Sequence, residues 1–333
     1  MSLISPVLLL LAFSGCSSEV VPDFTETCPE FFAMPGGTLF PPTIFTGNNY
    51  KQICQKREDT HEFATLYDTE NRIPVYSAYR FEGIKHCKRQ KIWYIEPQLE
   101  ALGPNMASES SKLKIQNQAT GEDYKNSGYD RGHLAPVYHS RSQSCSHATF
   151  TLTNTAPQNS SFNQDQWRIT EEAVAQTLNS TCLPNSAYIV TGVVPGPDKI
   201  KNRVCIPSHF WTAYCCLDNN QQVIDSHGFL GENINDPVQN MTIRDLEGKL
   251  TDLYGKGAFH IFGGKCKKIS STLRRFPSYD SVKDHLLHCQ ERHSTAKDFL
   301  TCVERVHRRN RWKNSHRQLR PLGKYSFRIS ESS

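Results

Sequence analysis

Twelve cysteines are spread along a chain of 333 residues, and no two of them are spaced as Cys-x-x-Cys. The absence of this spacing disfavours a zinc ribbon or a thioredoxin-type motif, and a high cysteine count is typical of proteins that fold in an oxidising compartment. Cys16 lies near the N-terminus, and the other eleven cysteines allow up to five disulfides and one odd thiol. We therefore expect a disulfide-stapled, exported protein, with pairings that the spacing does not define.

The N-terminus has the pattern of a secretory signal peptide. Residues 3–13 form an uncharged, mostly apolar run that is followed by small residues. The run is too short to cross a bilayer, and no other segment reaches the roughly 18 apolar residues of a membrane span. We predict a signal peptide over residues 1–18, secretion to the extracellular space and no stable membrane span. Three acceptor sites for N-linked glycans agree with export: Asn159, Asn179 and Asn240.

Strand-like and helix-like patterns are interspersed, which predicts the α+β class. Hydrophobic residues make up 37% of the chain, which excludes a disordered polyelectrolyte or a collagen. Residues 20–50 are interpreted as irregular structure held by Cys28, and residues 99–128 as loop. Alternation predicts strands over 73–81, 91–95, 148–153 and 187–194, and a hairpin of 210–217 with 222–225. Helical spacing predicts helices over 163–178 and 242–254.

The composition changes near residue 268. We predict one core domain over residues 19–268 and a helical, basic extension over 269–333. Residues 303–325 carry eight Lys or Arg side chains and one acidic one, in a chain with a formal charge of +5. A solvated tail is the ordinary interpretation of such a run. The alternative is that the tail helps to capture a polyanion.

The densest group of chemically active side chains is the segment 129–136, Tyr-Asp-Arg-Gly-His-Leu-Ala-Pro. It places the carboxylate of Asp130, the guanidinium of Arg131 and the imidazole of His133 within four residues. Gly132 permits a tight bend, and Pro136 stiffens the exit. A surface turn with a weak Asp–Arg ion pair is the alternative interpretation.

A second polar segment begins at Asn154 and continues through Asn163 into the predicted helix. On that helix, Glu171 lies four residues after Trp167, within the apolar stripe. A carboxylate that faces inward needs a cation or hydrogen-bond donors. A helix N-cap is the alternative role for Asn163, and a structural salt bridge is the alternative role for Glu171.

Together, Asp-Arg-Gly-His at 130–133, Asn-Thr-Ala-Pro-Gln at 154–158, and Asn163 with Trp167 and Glu171 resemble the DNA/RNA non-specific endonuclease family. The resemblance covers roughly residues 55–268. It implies the His-Me finger (ββα-metal) architecture, with a mainly antiparallel sheet flanked by helices. It also implies an endonuclease that hydrolyses the phosphodiester bonds of DNA and RNA.

The resemblance also implies a role for each matching residue. His133 matches the general base, and Asn163 matches the single protein ligand of Mg²⁺, for which Mn²⁺ is an alternative. Arg131 matches a residue near phosphate, and Glu171 matches one that orders the waters on the metal. Two further matches are Asn154, at a secondary active-site position, and Arg72, as a phosphate-contacting arginine.

The chemistry of these side chains agrees with such a role. A neutral imidazole removes a proton near pH 7, and activity is expected to fall below its ordinary pKa of about 6.5. Mg²⁺ prefers oxygen ligands and keeps several waters. Guanidinium groups clamp phosphate oxygens without reading base edges, so little sequence preference is expected.

Two alternatives remain at the level of sequence. The first is a non-catalytic secreted protein that reuses the fold to bind nucleic acid or a cell-surface partner, and a glycan at Asn159 would crowd the cleft. The second is a zinc site at 285–293, where His285, His288, Cys289 and His293 cluster; a disulfide from Cys289 is the simpler interpretation. The sequence gives no indication of oligomeric state.

Overall fold

The computed structural model describes residues 20–57, 59–103, 106–109 and 114–267, which all lie within one compact unit, Met1–Ile269. The predicted signal peptide, the extension with its basic tail and the histidine–cysteine cluster at 285–293 lie outside the described residues. Within the described ranges, no helix is long and apolar enough to cross a membrane.

The strands of the described chain, in order, are β1 (Val20–Val21), β2 (Tyr50–Arg57), β3 (Thr60–Asp68), β4 (Ile73–Phe81), β5 (Tyr94–Ile95), β6 (Ala107–Ser108), β7 (Tyr129–His133), β8 (Thr155–Asn159), β9 (Ser186–Ile200), β10 (Val204–Leu217), β11 (Val223–Glu232) and β12 (Gln239–Met241). The α-helices are α1 (Phe24–Thr27), α2 (Gly121–Tyr124), α3 (Gln143–Ala148), α4 (Ser160–Phe162), α5 (Arg168–Thr181) and α6 (Ile243–Tyr254). A π-helical turn, Asn163–Trp167, joins α4 to α5. Short 3₁₀ turns occupy Pro29–Phe31, Pro35–Gly37, Pro97–Glu100, Val137–His139 and Leu152–Asn154.

One eight-stranded sheet forms the centre of the described fold, in the order β1-β2-β3-β4-β9-β10-β11-β12. Its neighbouring strands all pair antiparallel. Two small antiparallel ladders, β5 with β6 and β7 with β8, lie outside this sheet. The predicted α+β class, a mainly antiparallel sheet flanked by helices, is confirmed.

Strand β10 is buried on both faces of the sheet. Trp211, Ala213 and Cys215 belong to a core cluster that includes residues of α6, whereas Tyr214 and Cys216 belong to a cluster that includes residues of α5. Successive side chains of a strand point to opposite faces. The adjacent cysteines therefore form disulfides in opposite directions, Cys216 with Cys182 after α5 and Cys215 with Cys266.

A third disulfide, Cys28–Cys54, ties the N-terminal segment to β2, as expected for a segment held by Cys28. Three thiols of the described chain are free, Cys87, Cys145 and Cys205, and Cys289 and Cys302 lie outside the described residues. Cys205 is buried, and its thiol donates to the carbonyl of Gly196 at 3.3 Å.

Several predicted elements differ from the structure. Residues 148–153 are not a strand, because they span the end of α3 and the start of a 3₁₀ turn. Phe150, Thr151, Leu152 and Thr153 are all buried, so their alternation does not separate a core face from a solvent face. The strand predicted over 91–95 is limited to Tyr94–Ile95, and the loop predicted over 99–128 contains β6 and α2. The predicted helices at 163–178 and 242–254 and the hairpin are confirmed.

Candidate active site

The motif segment forms the first strand of a ββα unit. Strand β7 pairs antiparallel with β8, placing His133 opposite Thr155 and Gly132 opposite Ala156, and the chain then enters α4, the π-helical turn and α5. A Cβ atom at Gly132 would lie 2.6 Å from Cβ of Gln158. Glycine is therefore required at this point of the motif.

Two adjoining cavities of about 730 and 810 Å³ open beside this unit. We refer to the two together as the cleft. The side chains that line both are Arg89, Asp130, Arg131, His133 and Asn163. The structure thus brings together three of the sequence-predicted site residues, Arg131, His133 and Asn163. Glu171 lines the second cavity, whereas Arg72 and Asn154 line neither.

The imidazole of His133 is held as the neutral form. Burial, followed by the positive charges of Arg89 and Arg131, lowers the pKa of His133 to about 3. Nε2 is buried and has no hydrogen-bond partner among the described residues. The lowered pKa places protonation of the ring below its ordinary value of about 6.5, and the expected fall of activity at low pH stays a prediction.

The side chain of Asn163 is oriented by the motif carboxylate. Nδ2 of Asn163 donates to Asp130 at 2.9 Å, and Asp130 also accepts from Ser160 at 3.0 Å and Gln164 at 3.2 Å. Partial burial acts to raise the pKa of Asp130, but these three donors outweigh it and lower the pKa. Asp130 is a site residue that the sequence reasoning missed, although it stood within the motif.

The N-cap interpretation of Asn163 is wrong. The cap of α4 is Asn159, whose Oδ1 accepts from the backbone N–H of Phe162 at 3.1 Å. Asn163 follows α4 and begins the π-helical turn. Such π-helical turns occur frequently at functional sites.

The residues present fit an Mg²⁺ ion. Nδ2 of Asn163 is bound to Asp130, and no hydrogen bond to its amide oxygen Oδ1 occurs among the described residues, so this oxygen is available as a ligand. The described residues contain no group of three or more His, Cys, Asp or Glu that could hold a metal ion. A metal here would therefore take most of its ligands from water and phosphate, which suits Mg²⁺.

Glu171 lies on the first turn of α5, within the face that buries Trp167 and Val174. Burial, and next the carboxylate of Glu172, raises the pKa of Glu171 to about 8. The raised pKa favours the protonated carboxyl group at neutral pH. The salt-bridge alternative is not supported, because no Glu171 ion pair occurs among the described residues.

Two guanidinium groups flank the imidazole. The guanidinium of Arg131 lies 4.9 Å from the ring centre of Trp93 and donates to the carbonyl of Gly121 at 3.2 Å. That of Arg89 lies 5.3 Å from the ring centre of Phe150. The sequence reasoning missed Arg89, and the only signal was the basic cluster at 85–91.

The structure does not place Arg72 in the cleft. Its guanidinium donates to the backbone carbonyls of Gln116 at 2.6 Å, Arg203 at 3.0 Å and Glu70 at 3.3 Å. These bonds fasten the start of β4 to two other segments. The expected phosphate contact of Arg72 is therefore not supported, and the arginines that line both cavities are Arg89 and Arg131.

Asn154 is fully buried beneath the site. Its Oδ1 accepts from the backbone of Ala135 at 2.9 Å and from Ser77 at 3.0 Å, and its Nδ2 donates to the carbonyls of Ala135 and Thr149, both at 3.0 Å. All four hydrogen-bonding positions of the amide are thus occupied. Asn154 fastens the exit of the motif strand to β4 and has no group left for substrate.

The chain is similar in sequence to several proteins of known description. The chain is 36% identical over 199 residues to the endonuclease domain-containing 1 protein of Homo sapiens, covering 57% of this chain and 38% of that protein. It is 33% identical over 117 residues to mitochondrial endonuclease G of Bos taurus, covering 31% and 38%. It is 24% identical over 222 residues to a nuclease of Nostoc sp., covering 63% and 72%. The chain spans less than half the length of the first two relatives.

The match to a family extends well beyond the site residues. The DNA/RNA non-specific endonuclease family matches residues 41–253, which is more than half of the chain and includes both segments of the ββα unit. The chain belongs to the DNA/RNA non-specific endonuclease family.

Proposed function

We propose that this protein is a secreted, Mg²⁺-dependent endonuclease that hydrolyses the phosphodiester bonds of both DNA and RNA. The observation that carries the proposal is the position of His133, a neutral imidazole in a cleft that also contains two guanidinium groups and an oriented amide oxygen. The three disulfides are compatible with secretion.

His133 acts as the general base in this proposal. The uncharged ring takes a proton from a water molecule, whose oxygen forms a bond to phosphorus. The bond from phosphorus to the 3′ oxygen breaks, and that oxygen takes a proton from solvent. The products carry a 5′ phosphate and a 3′ hydroxyl.

The cations of the cleft stabilise the charge that develops on phosphorus. Arg131 and Arg89 donate to the phosphate oxygens, where guanidinium groups form paired hydrogen bonds. Asn163, oriented by Asp130, supplies the amide oxygen that would hold Mg²⁺, and Glu171 orders the waters beside it. When bound, the metal supplies positive charge against the developing negative charge.

The test is digestion of plasmid DNA and of a structured RNA by the purified full-length chain, with Mg²⁺, with excess EDTA, and with Mg²⁺ restored. We expect both substrates to be cut into fragments with 5′ phosphates, and cutting to stop in EDTA and resume with Mg²⁺. Cutting that persists in EDTA contradicts the metal dependence. Retention of nucleic acid without any cutting contradicts the enzyme and favours the non-catalytic binding protein.

A further inference from the structure

Trp93 occupies a central position among the rings and cations of the cleft. Its ring centre lies 5.4 Å from that of His133 and 5.1 Å from that of Phe150, and the guanidinium carbon of Arg131 lies 4.9 Å from it. The indole is half-buried and lines the first cavity. One side chain thus contacts both the proposed base and one of the proposed phosphate clamps.

The backbone holds Trp93 in place. Its carbonyl accepts from the N–H of Glu109 at 3.1 Å, and the next residue, Tyr94, donates to the carbonyl of Phe150 at 2.9 Å. The β5–β6 ladder continues from this point. The main chain that carries the indole is therefore held on both sides, by the segment at Glu109 and by that at Phe150.

The other contacts extend this arrangement in both directions. The rings of Phe150 and His133 meet edge to face, with their centres 5.1 Å apart. The guanidinium carbon of Arg89 lies 5.3 Å from the Phe150 ring centre. Tyr124 lies 5.4 Å from the guanidinium of Arg131. Each arginine is thus laid against an aromatic face, an arrangement that cations favour.

Hydrogen bonds do not fix the orientation of these groups. Nε2 of His133 and Nε of Arg131 are both buried and have no partner among the described residues. Among the described residues, Arg131 makes one side-chain hydrogen bond, to the carbonyl of Gly121, and it holds one end of the guanidinium. Contact with Trp93 and its neighbours is what remains to set the direction of the imidazole and the plane of the guanidinium.

We propose that Trp93 is a positioning residue that sets the mutual orientation of His133 and Arg131. This inference rests on the proposed function, since it concerns groups that the reaction uses. A misplacement of about 1 Å at such a site lowers turnover by about 100-fold. Removal of the ring therefore acts on turnover more than on the affinity for nucleic acid, which the charges of the cleft retain.

The test compares Trp93→Leu, Trp93→Phe and the neighbouring control Ile92→Ala, whose side chain is 56% exposed. We expect Trp93→Leu to lower kcat by about 10- to 100-fold and to leave the dissociation constant for DNA, measured in EDTA, within about threefold. Trp93→Phe keeps an aromatic face and restores most of kcat, and Ile92→Ala keeps the wild-type value. Thermal unfolding of each variant verifies that the comparison is made on folded protein.

Coupling to Arg131 gives a second measurement. Arg131→Lys keeps the charge but loses the planar group, so Trp93→Leu should cost less activity in that background than in the wild type, because only the effect through His133 remains. Wild-type kcat in Trp93→Leu, equal loss in the Leu and Phe variants, or independent losses in the double variant would each overturn the inference.

A spectroscopic readout separates this inference from the proposed function. The readout is the NMR spectrum of protein with isotope-labelled histidine, in which His133→Asn identifies the signals of His133. The imidazole protons of His133 should show ring-current shifts that Trp93→Leu removes and Trp93→Phe largely retains. These shifts do not require turnover. A wild-type protein without nuclease activity would contradict the proposed function, whereas unchanged imidazole shifts in Trp93→Leu would contradict the role of Trp93.

Discussion

Nδ2 of Asn163 donates a 2.9 Å hydrogen bond to Asp130, which joins the first strand of the ββα unit to the helical segment after the second strand. The bond decides which end of the Asn163 amide faces the cleft. A neighbour that orients a metal ligand typically contributes 10- to 100-fold to metal affinity or activity, on the order of a ligand itself.

Asp130→Ala should therefore weaken the dependence on Mg²⁺. We expect the Mg²⁺ concentration for half-maximal cleavage to rise by about 10-fold or more, because the amide of Asn163 loses its fixed direction. The control is Asp165→Ala. Asp165 lies on the π-helical turn that begins at Asn163, and its carboxylate does not line the cleft. An unchanged Mg²⁺ requirement in Asp130→Ala would separate Asp130 from the metal.

Glu171→Gln tests the protonated carboxyl group of the cleft. The folded pKa of about 8 lies above the ordinary value of 4.5, so the wild type loses stability as pH rises from 4.5 to 8. The variant avoids this loss, and its free energy of unfolding at pH 8 in EDTA should exceed that of the wild type by on the order of 2–4 kcal/mol. Its nuclease activity with Mg²⁺ should fall.

Glu232→Gln is the control, because Glu232 is exposed and lines neither cavity. We expect its stability to change by about 0.5 kcal/mol or less and its activity to be kept. If Glu171→Gln retained full activity, Glu171 would have a structural role alone.

One pair of variants tests whether Arg89, rather than Arg72, makes the second phosphate contact. Arg89→Ala removes a cation that lines both cavities, and kcat/KM should fall by about 10- to 100-fold, the worth of a hydrogen bond to a charged group. Arg72→Ala removes bonds to three backbone carbonyls and should lower the unfolding midpoint while the folded fraction keeps its kcat/KM. The reverse pattern would restore Arg72 as the phosphate contact.

His139 makes stability depend on pH. Burial lowers its pKa to about 4, although its bond to the carbonyl of Glu171 acts in the opposite direction. The unfolded chain binds a proton below about pH 6.5, so stability falls as pH drops from 6.5 towards 4. Between pH 7 and pH 5 this one group accounts for about 2 kcal/mol.

The measurement for His139 is the free energy of unfolding at pH 7 and pH 5 in the wild type and in His139→Gln. The glutamine does not titrate, so the variant should lose about 2 kcal/mol less than the wild type across this interval. His133 contributes a loss of the same sign in both proteins, because its pKa is also lowered. Equal losses in the two proteins would exclude His139 as a source.

The sequence located the parts of the site that lie in contiguous motifs. His133 and Arg131 stand in one strand and Asn163 follows the next, so their spacing along the chain was sufficient to find them. Arg89 and Trp93 come from a segment about 40 residues earlier, and only the tertiary fold brings them to the cleft. Arg72 was assigned by resemblance, from its place just before the first predicted strand, and that place does not show that backbone carbonyls already occupy its guanidinium.

The alternation of apolar and polar residues was sufficient to predict the fold class, but it did not predict every strand. Strand β2 carries Lys51, Gln52, Gln55 and Lys56 and shows no apolar stripe, so it was not predicted as a strand. It is held instead by its pairing with β3 and by the Cys28–Cys54 disulfide. Tertiary pairing outweighs the local pattern in this case.

The most direct test of the central claim is the turnover of His133→Ala on DNA and RNA at saturating Mg²⁺, beside His209→Ala, a histidine that lies outside the cleft. We predict that His133→Ala loses about 10²- to 10⁴-fold in kcat, with its unfolding midpoint and its affinity for DNA in EDTA largely kept, and that His209→Ala turns over like the wild type. Wild-type turnover in folded His133→Ala would contradict the account.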